Sequence, residues 1–95
     1  SKENIWIFTE GLDPLPHRNL VNLLMERCEG YAGVFLQTDA GYRFIIGSRT
    51  KDSREAARIL REAFGVKGGG KPEMVQGSIN ASRDEIVELF RKEVS

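Results

Sequence analysis

The sequence predicts a small α/β sandwich of two or three layers, in which helices cover one mixed sheet that contains an antiparallel hairpin. The first reason is the order of the predicted elements, β-α-β-β-α-β-α. The second is size, because 95 residues that are 40% hydrophobic and 29% charged suffice for one modest core. We therefore expect a single domain, residues 1–95. Because it begins at Ser1, we expect it to be excised from a longer protein.

The first predicted strand covers residues 4–8. Ile5 and Ile7 lie on one of its faces, and Trp6 and Phe8 lie on the other. Apolar residues on both faces are typical of a strand that is covered on both sides, so we expect this strand at the centre of the sheet.

The first helix is predicted to begin with Asp13 as N-cap and Pro14 at the first helical position, and to end before Gly30. Its apolar residues recur at helical spacing. They are Leu20, Leu23, Leu24 and Cys28.

Residues 31–37 and 42–48 are predicted as the two strands of an antiparallel hairpin, because a turn of Thr, Asp, Ala and Gly separates them. Residues 74–79 are predicted as a further short strand. Ser82 and Glu85 form the pattern of a capping box, which predicts the start of the last helix.

The second helix is predicted to begin at an N-cap of Asp52 or Ser53 and to run to about Phe64, before Gly65. A stripe of apolar residues along it is expected to pack on the sheet. The stripe consists of Ala56, Ile59, Leu60, Ala63 and Phe64.

Charge is distributed unevenly along the chain although the net charge is zero. Residues 43–71 hold eight basic and three acidic side chains, and the rest of the chain holds six basic and eleven acidic ones. The asymmetry indicates either an anionic partner for the middle of the chain or a chance cluster on a solvated surface.

Three arginines, Arg54, Arg58 and Arg61, are predicted to form one row on the second helix, opposite its apolar stripe. Like charges at these spacings repel each other, and Glu55 and Glu62 are expected to relieve only part of the repulsion. A single arginine is most simply a solvated side chain, but the whole row favours contact with phosphate.

A glycine triplet, Gly68, Gly69 and Gly70, lies between Lys67 and Lys71. Successive N–H groups in a glycine turn form a concave anion site, and two lysines would add full charges to it. The alternative is a tight turn from helix to strand that binds nothing. The segment matches neither a P-loop nor a Rossmann fingerprint, so its spacing alone leaves both alternatives open.

The segment "GVKGGGKPEMVQG", residues 65–77, resembles the signature of the DHH-associated domain found at the C-terminus of alanyl-tRNA synthetases, in alanyl-tRNA editing proteins and in DHH-family phosphoesterases. In the synthetases the signature reads Gly-Gly-Gly-Arg-Pro-Asp-Met-Ala-Gln. Lys71 and Glu73 are conservative replacements, and Val75 stands for alanine. The matching residues are Gly68, Gly69, Gly70, Pro72, Met74 and Gln76.

The resemblance implies a noncatalytic accessory domain that binds tRNA, in an alanyl-tRNA editing protein or, second, a synthetase. A phosphoesterase parent is less favoured because histidine usually follows the glycines there, and here Lys71 does. A module that forms a homodimer is the other alternative. The expected nucleic-acid-binding residues are Arg54, Arg58, Arg61, Lys67, Gly68, Gly69, Gly70, Lys71 and Gln76.

No metal site or cofactor is expected in this domain, because zinc-dependent editing needs several His and Cys ligands and the chain has only His17 and Cys28. The resemblance implies that zinc would belong to the parent's editing domain. We expect His17 to pack at the edge of the core, and Cys28 to be buried. The aromatic residues are expected mainly in the core rather than stacked on bases. They are Trp6, Tyr31, Tyr42 and Phe44.

A single cysteine fits a reducing compartment, and no apolar run approaches the length that crosses a bilayer. We therefore expect a cytoplasmic protein whose partners are tRNA and other domains of its parent, without contact to a membrane.

Overall fold

The computed structural model describes residues 4–10 and 14–93, without the side chains of residues 14–17 and 67. The predicted Asp13 cap and the predicted packing of His17 lie outside this part. Five strands and three helices are found within it. They are β1 (Ile5–Thr9), α1 (Pro14–Met25), β2 (Tyr31–Thr38), β3 (Gly41–Ser48), α2 (Ser53–Phe64), β4 (Lys67–Lys71), β5 (Met74–Ile79) and α3 (Arg83–Glu93).

The five strands form one mixed sheet in the order β1-β2-β3-β5-β4. β1 pairs with β2 in parallel, and all other neighbours are antiparallel, including the predicted β2–β3 hairpin. The predicted fold class is therefore confirmed, with one strand more than expected.

β1 lies at an edge of the sheet, so the prediction of a central strand is wrong. Its two apolar faces have another cause: helices cover both faces of the sheet at this edge. Ile7 packs with the core cluster on the α1 side, whereas Trp6 and Phe8 pack with the cluster under α2 and α3. Apolar residues on both faces of a strand therefore indicate that both faces of the sheet are covered there. They do not indicate whether the strand lies at the centre or at an edge of the sheet.

Two core clusters make the molecule a three-layer sandwich. The larger one, between the sheet and α2 with α3, includes the fully buried Phe35, Phe44 and Leu60. The smaller one lies under α1 and contains Val21, Val34 and Ile45. As predicted, the aromatic residues belong to the core. Tyr31 and Phe44 are buried in the larger cluster, and Trp6 and Tyr42 are half-buried against it.

The helix boundaries follow the predicted caps for α2 and α3. The Asp52 side chain accepts a hydrogen bond from the Arg54 N–H, and α2 ends at Gly65 in a left-handed conformation. Ser82 and Glu85 form the reciprocal bonds of a capping box, at 3.0 and 3.2 Å.

α1 departs from the prediction at its C-terminal end. It ends at Met25, so Cys28 lies beyond the helix and not on it. Leu23 is 56% exposed, although its spacing predicts burial. The helical spacing of apolar residues therefore continues about one turn beyond the helix itself.

The glycine triplet lies in a strand, β4, at the other edge of the sheet, and not in a loop. The backbone of Gly68 has φ +140° and that of Gly70 has φ +158°. A Cβ at Gly68 would lie 2.5 Å from the Cα of Gly77, and one at Gly70 would lie 2.5 Å from the carbonyl oxygen of Met74. Only glycine fits these two positions, because a side chain would point into β5. Both alternatives that the sequence leaves open place the glycines in a turn, and this placement is wrong.

Candidate nucleic-acid interface

Two of the arginines on α2 form ion pairs within the chain. Arg54 lies 2.7 Å from the Asp52 carboxylate, and Arg58 lies 2.6 Å from Glu62 while also contacting Glu55. The two glutamates pair with Arg58 alone, so they relieve only part of the repulsion within the row, as predicted. All these side chains are exposed, and exposed ion pairs contribute little to stability, so a phosphate can replace a carboxylate as partner.

The ion pairs also fix the charge state of the carboxylates. Hydrogen bonds from Arg54 hold the pKa of Asp52 below its usual value, and those from Arg58 do the same for Glu55. The pKa of Arg58 is raised by the same carboxylates. Both acids are therefore ionised at neutral pH, and any phosphate that approaches the arginines meets negative charge beside them.

Arg61 differs from the other two arginines, because it is exposed and makes no ion pair with any residue in the described ranges. It lies on the last turn of α2, where a cation also interacts favourably with the helix dipole. Within the arginine row, it is the side chain most directly available to an anionic ligand.

The three arginines and the glycine strand line one open groove between α2 and β4, with a volume of about 490 Å³. On the strand side the groove is formed by Gly69 and Gly70, whose lack of side chains leaves the backbone accessible. The residues that line it are Asp52, Arg54, Glu55, Ala57, Arg58, Arg61, Gly69, Gly70 and Val75. The structure thus brings together two features that lie about ten residues apart in the sequence.

Other predicted residues lie away from this groove. Gln76 pairs in register with Ile45, whose side chain belongs to the α1-side cluster, and its amide oxygen accepts a bond of 3.4 Å from Arg18. Lys71 is exposed and pairs in register with Met74, which packs on that same cluster. Neither residue lines the groove. For Lys67 the structure gives only the register, opposite Ser78.

Sequence reasoning missed two features of this region. The first is the ion pair of Arg54 with Asp52, a residue for which the sequence predicts only a capping role. The second is the location of Arg18 and Arg43 on the α1 side of the sheet, with Gln76. No local signal predicts that location, because it depends on the strand order.

No group of three or more His, Cys, Asp and Glu side chains that would hold a metal ion is found among the described residues. Cys28 is 1% exposed, and its thiol lies near the carbonyl oxygens of Gly30 and Tyr31. Burial raises the pKa of this thiol, which leaves it protonated and unreactive at neutral pH. The prediction that Cys28 is a buried small hydrophobe is confirmed. No helix in residues 14–93 is long and apolar enough to cross a membrane.

Comparison with known proteins places this architecture in a family. The crystal structure of the C-Ala domain from Aquifex aeolicus alanyl-tRNA synthetase is similar, with a TM-score of 0.69, 22% sequence identity, and coverage of 94% of this chain and 87% of that one. At this level of identity the likeness establishes a shared fold. No curated protein sequence matches the chain. A family model described as the DHHA1 domain matches residues 4–95, and the chain therefore belongs to the DHHA1 domain family.

Proposed function

We propose that this chain is a noncatalytic tRNA-binding domain that positions tRNA for an active site in another domain of its parent protein. The observation that carries the proposal is the groove between α2 and β4, where three arginines face two backbone positions without side chains. Membership of the DHHA1 family and the shared fold with a domain of an alanyl-tRNA synthetase support the choice of tRNA as the anionic ligand.

The chemistry of the groove favours recognition of the sugar-phosphate backbone over recognition of bases. Guanidinium groups bind phosphate oxygens with two N–H donors each, and a strand of glycines allows close approach of a ligand. Among the residues that the structure describes, no aromatic side chain lines the groove, so bases have no stacking partner from this set. Recognition then depends on the shape and charge of folded RNA, as is common for helical RNA.

The parent that we propose is a cytoplasmic alanyl-tRNA editing protein or alanyl-tRNA synthetase. Zinc, where editing requires it, would be held by a separate domain of that parent. The DHHA1 family also fits a DHH-family phosphoesterase parent. The residue after the glycine triplet favours the tRNA enzymes, because Lys71 stands where the phosphoesterases usually carry histidine.

Removing the arginine row tests the proposal directly. The triple variant Arg54→Gln, Arg58→Gln and Arg61→Gln should bind an alanine tRNA transcript about tenfold more weakly than the wild type. Its plot of log Kd against log salt should also be flatter, by about 0.7–0.9 for each phosphate that the variant no longer neutralises. Fluorescence anisotropy with labelled tRNA at several salt concentrations measures both quantities, and circular dichroism verifies the fold.

The matched control removes the same charge elsewhere, by Arg27→Gln, Arg91→Gln and Lys92→Gln. These residues are exposed and do not line the groove. The control triple should bind within about twofold of wild type, because long-range charge is largely screened at physiological salt. Equal losses of tRNA affinity in the two triples would mean that binding depends only on the net charge of the domain. An unchanged affinity of the α2 triple would mean that the groove does not bind tRNA.

A further inference from the structure

The α1 side of the sheet is only partly covered by α1. The helix packs on Ile7, Val34 and Ile45, which lie on β1, β2 and β3. Towards the β4 edge the same face carries polar side chains that are exposed to solvent. We call this region the outer sheet face, and it consists of Arg43, Lys71, Gln76 and Ser78 together with Arg18 of α1.

The register of the strands brings these residues together. Arg43 pairs with Ser78 across β3 and β5, and Gln76 lies two residues before Ser78 on β5. Lys71 pairs with Met74, which lies two residues before Gln76. Gln76 is thus a diagonal neighbour of both Arg43 and Lys71, and diagonal neighbours on one face of a sheet are about 7–8 Å apart, so the three residues lie on one continuous surface. Arg18 reaches the same point from α1, where its guanidinium donates to Gln76.

The cations of the outer sheet face are not compensated by carboxylates. Arg18, Arg43 and Lys71 form no ion pair with any residue in the described part of the chain. α1 contains no acidic residue in residues 14–25, and neither do the strand segments 43–47 and 74–78. The outer sheet face therefore has three positive side chains and no negative one among its members.

The groove side of the sheet has the opposite balance. Asp52 pairs with Arg54, and Glu55 and Glu62 pair with Arg58. The negative charge of Glu73 in the β4–β5 turn also contributes to raising the pKa of Arg54. On the α2 side, carboxylates therefore pair with two of the three arginines. Of the basic residues in the middle of the sequence, Arg43 and Lys71 lie on the α1 side, outside the groove, and neither pairs with a carboxylate of the described residues.

We infer that the outer sheet face is a second phosphate-binding surface, which takes the sugar-phosphate backbone of the same RNA that enters the groove. The inference rests on the proposed function and extends it to residues on the opposite side of the sheet. The β4 edge lies between the two surfaces, and its central residues, Gly68 to Gly70, have no side chains. RNA that crosses this edge can therefore contact cations on both sides. Arg18 joins this face through the hydrogen bond of 3.4 Å that it donates to the amide oxygen of Gln76.

Neutralising the outer sheet face tests the inference. The triple variant Arg18→Gln, Arg43→Gln and Lys71→Gln should weaken binding of the alanine tRNA transcript by about tenfold or more at roughly 0.15 M salt. It should also reduce the slope of log Kd against log salt by about 0.7–0.9 for each phosphate that is no longer neutralised. The comparison variant is the triple Arg27→Gln, Arg91→Gln and Lys92→Gln, which removes the same charge. Melting temperatures of both triples establish that each is folded.

The outcomes separate this inference from the proposed function. A loss of affinity in the outer-face triple, with the comparison triple unchanged, supports the inference. If the outer-face triple binds as the comparison triple does while the α2 triple loses affinity, the inference is wrong and the proposed function stands. If both the outer-face triple and the α2 triple bind as the comparison triple does, the inference and the proposed function are both wrong. Should the outer-face triple fail to fold, the single variants Arg43→Gln and Lys71→Gln, both at exposed positions, must each lower affinity about threefold or the inference fails.

Discussion

Replacing Gly68 with alanine should lower the free energy of unfolding by about 2–3 kcal/mol, because the backbone there has a conformation that is costly for any residue with a side chain. The added Cβ would lie 2.5 Å from the Cα of Gly77, whereas ordinary contacts begin near 3.4 Å. The neighbouring atoms belong to the backbone of β5, so no side chain can rotate away to relieve the clash. Thermal and urea unfolding, followed by circular dichroism, measure the loss.

Gly69 provides the matched control on the same strand. It has no positive φ, and a Cβ added there meets nothing within 4 Å. Gly69→Ala should therefore leave the free energy of unfolding within about 1 kcal/mol of wild type. A small increase in stability is favoured, because alanine lowers the conformational entropy of the unfolded chain. A Gly69 variant as unstable as the Gly68 variant would show that β4 does not have the backbone described above.

The same pair of variants separates two roles for the glycines. Gly69 lines the groove with its backbone and lies on the β4 edge that RNA would cross, so its alanine variant should bind tRNA a few-fold more weakly while remaining fully folded. If Gly69→Ala binds as wild type does, the glycines serve only the pairing of β4 with β5. In that case the arginines and the outer sheet face alone would account for binding.

The glycine segment also marks the limit of what the sequence predicts about the fold. The hairpin, the Asp52 cap and the Ser82–Glu85 capping box carry local signals, and all three are confirmed. β4 carries none, since a run of glycines lacks the β-branched residues and the alternation that identify a strand. Its strand conformation depends on pairing with β5, which is a tertiary contact.

The sequence predicts which charged residues share one face of a helix, but not which charged residues of different elements lie close together. The arginine row follows from helical spacing, and the groove confirms that Arg54, Arg58 and Arg61 share one side of α2. That Arg18 meets Gln76, 58 residues away, follows only from the strand order and from the placement of α1 on the sheet. The predicted binding roles of these residues remain predictions, to be tested by the variants above.

Deleting this domain from the proposed parent enzyme should lower kcat/KM for whole tRNA by about 100-fold, because on the proposed function the binding energy of a remote contact positions the reacting ester. The same deletion should change kcat/KM by less than about threefold for a minimal acceptor-stem substrate, which is too short to reach this surface. Deacylation of mischarged alanine tRNA, measured on both substrates with the intact and the truncated parent, provides the comparison.

The isolated chain supplies the control for catalysis in that experiment. It should not deacylate either substrate, since no group of metal ligands is found among its described residues and Cys28 is buried with a raised pKa. Deacylation by the isolated chain would contradict the accessory role. Equal losses on the two substrates after deletion would indicate instead that the domain holds the parent together, for example by forming a dimer through the open edge of β4. A loss confined to whole tRNA, and reproduced by the Arg54, Arg58 and Arg61 triple within the intact parent, assigns the effect to RNA contact at the groove.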